Sequence, residues 1–315
     1  MANENKIIAD WKNKHRSLFG THTIKLTHRL RETGMFTRSA IAALIDRYPR
    51  DEINLNTMGE DATTNEWRAG LIGDHSGVEV IEAIENGRMW LNLLRLMNTD
   101  KEYAELLNSI FEEFDALVPD IKTFKHSMGL LVSSPNVQVY YHCDVPGQML
   151  WQLEGQKRIY IYPNTDPFLP RDAIETVILG ETEEEIAYEA WFDDHAEIYD
   201  LEPGDMLHWP LNGPHRVENK DSLNISVTTE HWTNEIRNSY AVNYANGFLK
   251  RQFGYNASSS SPHGMHVYPK AAIALAAKKT GWNKAKKFKT IAEFEIDPSG
   301  KNGIAEITPK PLSYG

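Results

Sequence analysis

Apolar positions in the first third of the chain recur with helical spacing. Ile41, Leu44, Ile45 and Tyr48, following Phe36, fall at i, i+3, i+4 and i+7 and predict an amphipathic helix that stops before Pro49. Trp90, Leu93, Leu94 and Met97 form a second such stripe. A third opens on Thr99-x-x-Glu102, which has capping-box spacing, and continues through Tyr103, Leu107, Ile110, Phe114 and Leu117 to Pro119. All three read as faces packed on a core.

Near Ser133 the pattern changes to short runs of Val, Ile, Tyr and Trp bounded by turn residues. These predict strands at Asn136–His142, Gln148–Leu153, Lys157–Tyr162, Ala196–Leu201, Asp205–Trp209, His215–Glu218 and Leu223–Trp232. Glu154-Gly155-Gln156 marks a hairpin, and Glu202-Pro203-Gly204-Asp205 a tight turn. Short strands at this spacing, without intervening helices, form a barrel or a sandwich. One long connection interrupts them. Between Pro163 and His195 it carries Glu181, Glu183, Glu184, Glu185, Asp193 and Asp194, and reads as a solvated insertion or as a lid. Helical spacing returns after Trp232 through Glu235, Ile236, Tyr240, Tyr244 and Phe248 to Gly254. A connector at Ser258–Ser261 follows, then a stretch with Lys270, Lys278, Lys279, Lys284, Lys286, Lys287 and Lys289 but no acid.

Composition narrows the chemistry. The 315 residues are 41% hydrophobic, enough for a large core, and 33 Lys and Arg against 44 Asp and Glu give a net charge of -11. That balance speaks against a nucleic-acid partner, although the lysine-rich segment with Trp282 and Phe288 offers a local basic face. The single cysteine, Cys143, excludes an internal disulfide and any multi-thiolate metal site. The first residues lack the apolar core of a secretory signal, and no stretch reaches membrane-span length, so a cytoplasmic protein without a membrane partner is expected.

The twelve histidines are then the informative residues. In Tyr140-Tyr141-His142-Cys143-Asp144, strand alternation puts His142 and Asp144 on one face and Cys143 on the other. An imidazole and a carboxylate inside a barrel each need a partner, and a divalent metal serves both. A third ligand from another strand fits at His215, behind the Pro203-Gly204-Asp205 turn and the run Met206–Pro210. Two histidines and one carboxylate leave coordination positions open, as in non-haem Fe(II) oxygenases. His208 and His231 read as packing or supporting residues, and His195 lacks a barrel setting.

These blocks resemble a known family. His142-x-Asp144, then Gln152-Leu153-Glu154-Gly155-Gln156-Lys157-Arg158 and a strand ending at Pro163, look like the JmjC/cupin-like 2-oxoglutarate oxygenases. Pro203-Gly204-Asp205-Met206-Leu207-His208-Trp209-Pro210 leading to His215, and the run Asn224–Trp232, match the same family, nearest the asparaginyl hydroxylase that acts on hypoxia-inducible factor. The resemblance implies a mostly β fold, a double-stranded β-helix (jelly-roll or cupin) barrel with N-terminal and C-terminal helices. A helical region at 1–124 would pack on a barrel at 125–235, which holds the acidic insertion 164–197, and a helical, lysine-rich region would follow at 236–315.

The resemblance also implies Fe(II) bound by His142, Asp144 and His215, with Lys157 pairing the distal carboxylate of the co-substrate 2-oxoglutarate and Gln148 beside it. Val139 stands where the family often has a hydroxyl and Glu230 where it has an amide; Tyr140, on the His142 face, would replace the hydroxyl. The implied activity is O2-dependent hydroxylation of a C–H bond in a peptide or protein side chain or a small metabolite, releasing succinate and CO2. A cupin-type metal-binding protein or isomerase that does not use O2 is the alternative. The acidic 172–197 stretch points to a cationic substrate, and Thr233–Phe253 to a homodimer contact through the helical flanks.

Overall fold

The computed structural model describes residues 6–60, 66–182, 184–282 and 289–312; Glu183, Lys284, Lys286, Lys287 and Phe288 lie outside the described residues. Four strands precede the barrel: β1 (Ile24–Thr27), β2 (Ile53–Thr57), β3 (Arg68–Leu71) and β4 (Met89–Leu93). Eight form it: β5 (Phe124–Ser133), β6 (Gln138–His142), β7 (Gly147–Glu154), β8 (Lys157–Ile161), β9 (Glu197–Leu201), β10 (Asp205–His208), β11 (His215–Asn219) and β12 (Asn224–Trp232). Strands β10-β7-β12-β5 lie in one sheet and β6-β11-β8-β9 in the other, every pairing antiparallel. The two sheets face each other as a jelly-roll barrel with helical flanks. The hairpin between β7 and β8 turns on Gly155 (φ 72), where a Cβ would meet the Leu223 carbonyl oxygen at 2.3 Å.

Side-chain alternation divides the core. Leu131, Leu150 and Leu207 from one sheet meet Ile159, Ile161, Leu201 and Val217 from the other inside the barrel. The outer face of the first sheet, with Leu130, Val132, Trp151 and Val227, is covered by helices α2 (Arg38–Arg47), α3 (Gly77–Asn86) and α5 (Lys101–Leu117); the short helices α1 (Asn13–Leu18) and α4 (Leu96–Thr99) lie in the same region. The outer face of the second, with Tyr141 and Tyr162, is covered by α6 (Arg171–Leu179), α7 (Asn234–Phe253) and α8 (Val267–Thr280).

The flanks depart from the expected pattern in three places. The stripe from Trp90 to Met97 is not a helix. Met89–Leu93 forms β4, paired with β2 and β5, because Met89, Leu91 and Leu93 face one core and Trp90 the barrel interior; a strand buried on both faces is continuously apolar and mimics helical spacing. The third helix is capped by Asp100, whose carboxylate accepts from the Glu102 amide at 2.9 Å, while a capping box sits at Ser76 and Glu79 on α3. The C-terminal region adds two strands, β13 (Ile291–Ile296) and β14 (Ile304–Pro311). β13 runs parallel to β3, and Phe294 lies where a Cβ on Gly70 would be, 2.3 Å from its ring. The first sheet therefore continues from the barrel through β4-β2-β3-β13-β14.

The acidic insertion is packed. Ile174, Val177, Ile178 and Leu179 of α6 are buried, and the 3-10 turn Ala190–His195 buries Phe192. A buried guanidinium on β11 holds it. Arg216 donates to Asp193 at 2.6 Å, pairs with Glu218, and stacks on Tyr160 at 3.4 Å. Tyr162 and Tyr188 donate to the same Asp193 carboxylate. Replacing Arg216 by Met leaves Asp193 and Glu218 without their cation and should lower the unfolding free energy by about 3 kcal/mol. Asp193→Asn should cost about 1 kcal/mol. Urea unfolding followed by circular dichroism measures both, and equal stability of Arg216→Met and wild type refutes the clamp.

Candidate metal centre

Two cross-strand neighbours begin the site. His215 at the start of β11 pairs with His142 at the end of β6, and their rings lie 4.1 Å apart. Asp144, two residues further, reaches back so that its Oδ2 is 3.5 Å from His215 Nε2. One ligand atom from each of the three lies within 4.8 Å of the others, the single such group among the described residues. Asn212, in left-handed backbone (φ 54), donates to the Asp144 carbonyl at 2.6 Å and ties the turn after β6 to the loop before His215.

The imidazole tautomers follow from the backbone. Nδ1–H of His142 donates to the Tyr140 carbonyl at 2.8 Å and that of His215 to Gly213 at 3.1 Å. A carbonyl can only accept, so each Nε2 is left with a free lone pair. Burial pushes His142 down to about 4 and, together with the neighbouring His142, pushes His215 well below its ordinary value. It pushes the Asp144 carboxyl well above its ordinary value, with Glu184 and Glu230 adding to the rise. Two neutral imidazoles and a buried carboxylate without a cation suit a divalent ion that prefers mixed nitrogen and oxygen ligands. Cys143 packs into the core behind β6, and burial raises its thiol.

Strand β6 carries an irregularity that the alternation rule missed. His215 pairs with His142 but Val217 with Val139, so β6 has one residue more than β11 across Tyr140 and Tyr141. Val139 consequently packs in the barrel and Tyr141 outside it. Tyr140 stands at the cavity wall, edge-on to Trp67 at 5.1 Å and to His142 at 5.9 Å.

The three residues open on a cavity of about 220 Å³. Its walls include Asn54 and Asn56 of β2, Trp90 and Asn92 of β4, and Trp67. These come from the region expected to be helical and were missed. The alternation of Ile53, Leu55 and Thr57 with Asn54 and Asn56 is the signal that marks β2 as a strand with one polar face. The acidic insertion supplies another wall. Glu184 and Glu185 run beside β6, with the Cys143 amide donating to the Glu184 carbonyl at 3.2 Å, and Glu184 lines the cavity.

Lys157 is 1% exposed, and its Nζ has no hydrogen-bond partner. It lies 5.0 Å from the centroid of the Trp90 ring, and burial pushes its ammonium down to about 7. It shares a strand face with the cavity residue Ile159. Gln148 is 8% exposed; its Nε2 donates to Glu230 at 3.4 Å while its Oε1 has no partner. Burial raises the Glu230 carboxyl, and the Gln148 hydrogen bond lowers it in part. His208 is structural: its Nδ1 donates to the Gln148 carbonyl at 2.9 Å and its Nε2 accepts from the Gly20 amide at 2.9 Å. His231 stacks on Phe19 at 6.0 Å, and His195 meets Phe168 and Trp191 edge-on.

No protein-family model matches the chain, and no curated protein matches it. Solved structures do. An X-ray structure of E. coli ycfD is 14% identical, with a TM-score of 0.50 over 87% of this chain and 68% of that one. A crystal structure of the Escherichia coli ribosomal oxygenase YcfD is 13% identical, with a TM-score of 0.48 over 87% and 67%. A third, of YcfD in complex with cobalt and 2-oxoglutarate, is 16% identical, with a TM-score of 0.43 over 84% and 64%. At these identities the likeness is one of fold. Among the described residues no helix is long and apolar enough to cross a membrane.

The buried histidines set a pH dependence. His28, His142 and His208 are pushed by burial to about 4, and His231 to about 3. The folded chain keeps them neutral where the unfolded chain, with values near 6.5, takes up protons, so folding stability falls as pH drops below about 6.5. The expected loss is up to about 1.4 kcal/mol per pH unit for each histidine. Urea unfolding of metal-free protein between pH 7 and pH 5 measures the slope; a flat profile contradicts neutral burial.

Proposed function

We propose that this protein is an Fe(II)- and 2-oxoglutarate-dependent oxygenase that hydroxylates a C–H bond of a side chain or small molecule. One observation carries the reading: three metal-competent side chains converge on a cavity, and a buried ammonium without an anion lies further along the same strands. The pairing of His215 with Ile161 and of Asn219 with Lys157 separates those levels by four residues, about 13 Å along the strand. A five-carbon dicarboxylate suits that interval, with one end at the metal and the other at Lys157. The fold shared with E. coli ycfD supports the reading.

In this reading His142, Asp144 and His215 hold the metal in one cluster and leave its remaining positions to co-substrate and O2. Iron with the keto acid supplies the oxidising chemistry: one oxygen atom goes to succinate as CO2 is lost, the other to the substrate carbon. The chain's own residues position and insulate. Nδ1–H bonds from both histidines to backbone carbonyls fix the ring planes. Trp90, Leu131, Ile159 and Val217 line the cavity with apolar surface that limits water. Lys157 serves as anchor for the distal carboxylate, a charge-assisted contact that neither Trp90 nor any hydrogen-bond partner provides. Tyr140 and Gln148 complete the wall beside the co-substrate. The orphaned ammonium favours an anionic co-substrate over a cupin that holds metal alone.

Anaerobic addition of Fe(II) and 2-oxoglutarate should produce a visible absorption band from keto-acid chelation, and admission of O2 should release succinate. His142→Ala and Asp144→Ala should each abolish both signals; undiminished succinate from both variants sinks the assignment. A second outcome concerns Lys157. Its ammonium, pushed to about 7 by burial, is largely neutral at pH 8 and must regain a proton when a carboxylate arrives. Binding of 2-oxoglutarate at pH 8 should take up close to one proton, read by calorimetry in buffers of different ionisation enthalpy, and Lys157→Met should take up none. Proton release, or equal uptake by the variant, counts against the anchor.

A further inference from the structure

The structure assigns a second ligand site, outside the barrel: a cavity on the outer face of the first sheet that takes a small neutral aromatic alcohol at His231. This site does not depend on the oxygenase reading. Strands β7 and β12 pair Gln148 with Glu230 and, one residue along, Gly147 with His231. The first pair lines the metal cavity. Strand alternation turns the second pair to the opposite face. There it lines another cavity, of about 190 Å³, walled by Phe19, Ile121, Trp209, Leu211 and Ile236. Gly147 makes room for the imidazole, since a Cβ at that position would lie 2.5 Å from His231 Cε1.

His231 is 3% exposed, and its Nδ1 has no hydrogen-bond partner. Other buried histidines differ. Nε2–H of His28 donates to the Gln152 carbonyl at 3.0 Å while its Nδ1 accepts from the Leu30 amide at 3.1 Å. His208 is engaged at both ring nitrogens by Gln148 and Gly20. An unmet nitrogen in so buried a place is costly, and a phenylalanine would pack there without that cost. The neutral ring offers a donor or an acceptor at Nδ1 according to its tautomer, and a hydroxyl serves either, because its one oxygen both donates and accepts. Around the ring the wall is mainly apolar or aromatic, with Thr21, Thr233 and Glu235 as polar members. An apolar cavity of roughly 150 Å³ takes one benzene ring. Water would satisfy the nitrogen and leave the apolar wall uncovered; one aromatic ring with a hydroxyl answers both. Trp209 also walls the metal cavity, with its ring 4.7 Å from that of His215, so a ligand held here borders the metal centre across one side chain.

Phenol and toluene, matched in shape and differing in the hydroxyl, test this on the full chain, with dissociation constants from ligand-observed NMR. Phenol should bind wild type saturably. His231→Phe keeps an aromatic ring and removes both nitrogens, and it should shift the affinity ratio of phenol to toluene about fivefold or more toward toluene. Comparing ratios cancels the different hydration of the two probes. Leu211→Trp fills the cavity from a half-buried loop position and should weaken phenol about tenfold or more, with far-ultraviolet dichroism and Co(II) binding unchanged. That second variant decides the matter if His231→Phe fails to fold. Absence of saturable phenol binding overturns the proposal, as does a ratio that His231→Phe leaves unchanged. Phenol binding that Leu211→Trp leaves intact places the ring elsewhere, the metal cavity included, and overturns it too.

Discussion

The structure depends on keeping ionisable groups dry inside a β-barrel. Lys157, Asp144 and His215 are buried, and His142 half-buried, by strands whose other neighbours are Ile, Leu, Val and Trp. Desolvation opposes the charge on each, lowering the ammonium and the imidazoles and raising the carboxyl. An apolar side chain at any of these positions would pack at less cost. Their joint presence makes sense as a site that waits for complementary charge: a cation at the His142 end and an anion at the Lys157 end.

Antiparallel pairing keeps those two ends at a set separation. Strand β11 lies between β6 and β8, so His215 is registered against His142 on one side while Asn219 is registered against Lys157 on the other. The next residue on β11, Arg216, faces outward and grips Asp193. One strand thus carries an inward imidazole and, one step later, the outward clamp for the insertion that brings Glu184 to the cavity. A shift of β11 by a single residue would exchange these faces and lose both.

The barrel was legible because its strands are short, half-buried and closed by turn residues. The runs from Asn136 to Trp232 lie close to β6 through β12, and His142, Asp144 and His215 are brought together. Elsewhere local pattern was overridden. Trp90 to Leu93 is apolar on both faces, so period two and period three-to-four could not be separated. β13 finds its partner β3 more than two hundred residues away in the chain, a pairing that no local window contains. The bulge at Tyr140–Tyr141 carries no glycine or proline to announce it and appears only in the register against β11. Cavity walls from β2 and β4 were hidden for the same reason: their polar residues acquire meaning only once the first sheet extends past β5.

Glu230 shows how a departure from a family pattern can be informative. Beside the dicarboxylate proposed for this cavity an amide would be neutral, whereas a glutamate would repel unless something positive lay close. The protein answers part of that repulsion by turning the Gln148 amide toward Glu230. This leaves the Gln148 carbonyl oxygen facing the cavity and makes the wall richer in acceptors. Gln148 pairs with Glu230 across β7 and β12, so the two act as one unit. The acidic insertion then adds Glu184 from outside the barrel. Negative charge therefore reaches this end of the cavity from two unrelated elements, one a core strand and one a long connection. Glu184 is exposed to solvent whereas Glu230 is held within the barrel, so it is at position 230 that a neutral residue would be cheaper to fold.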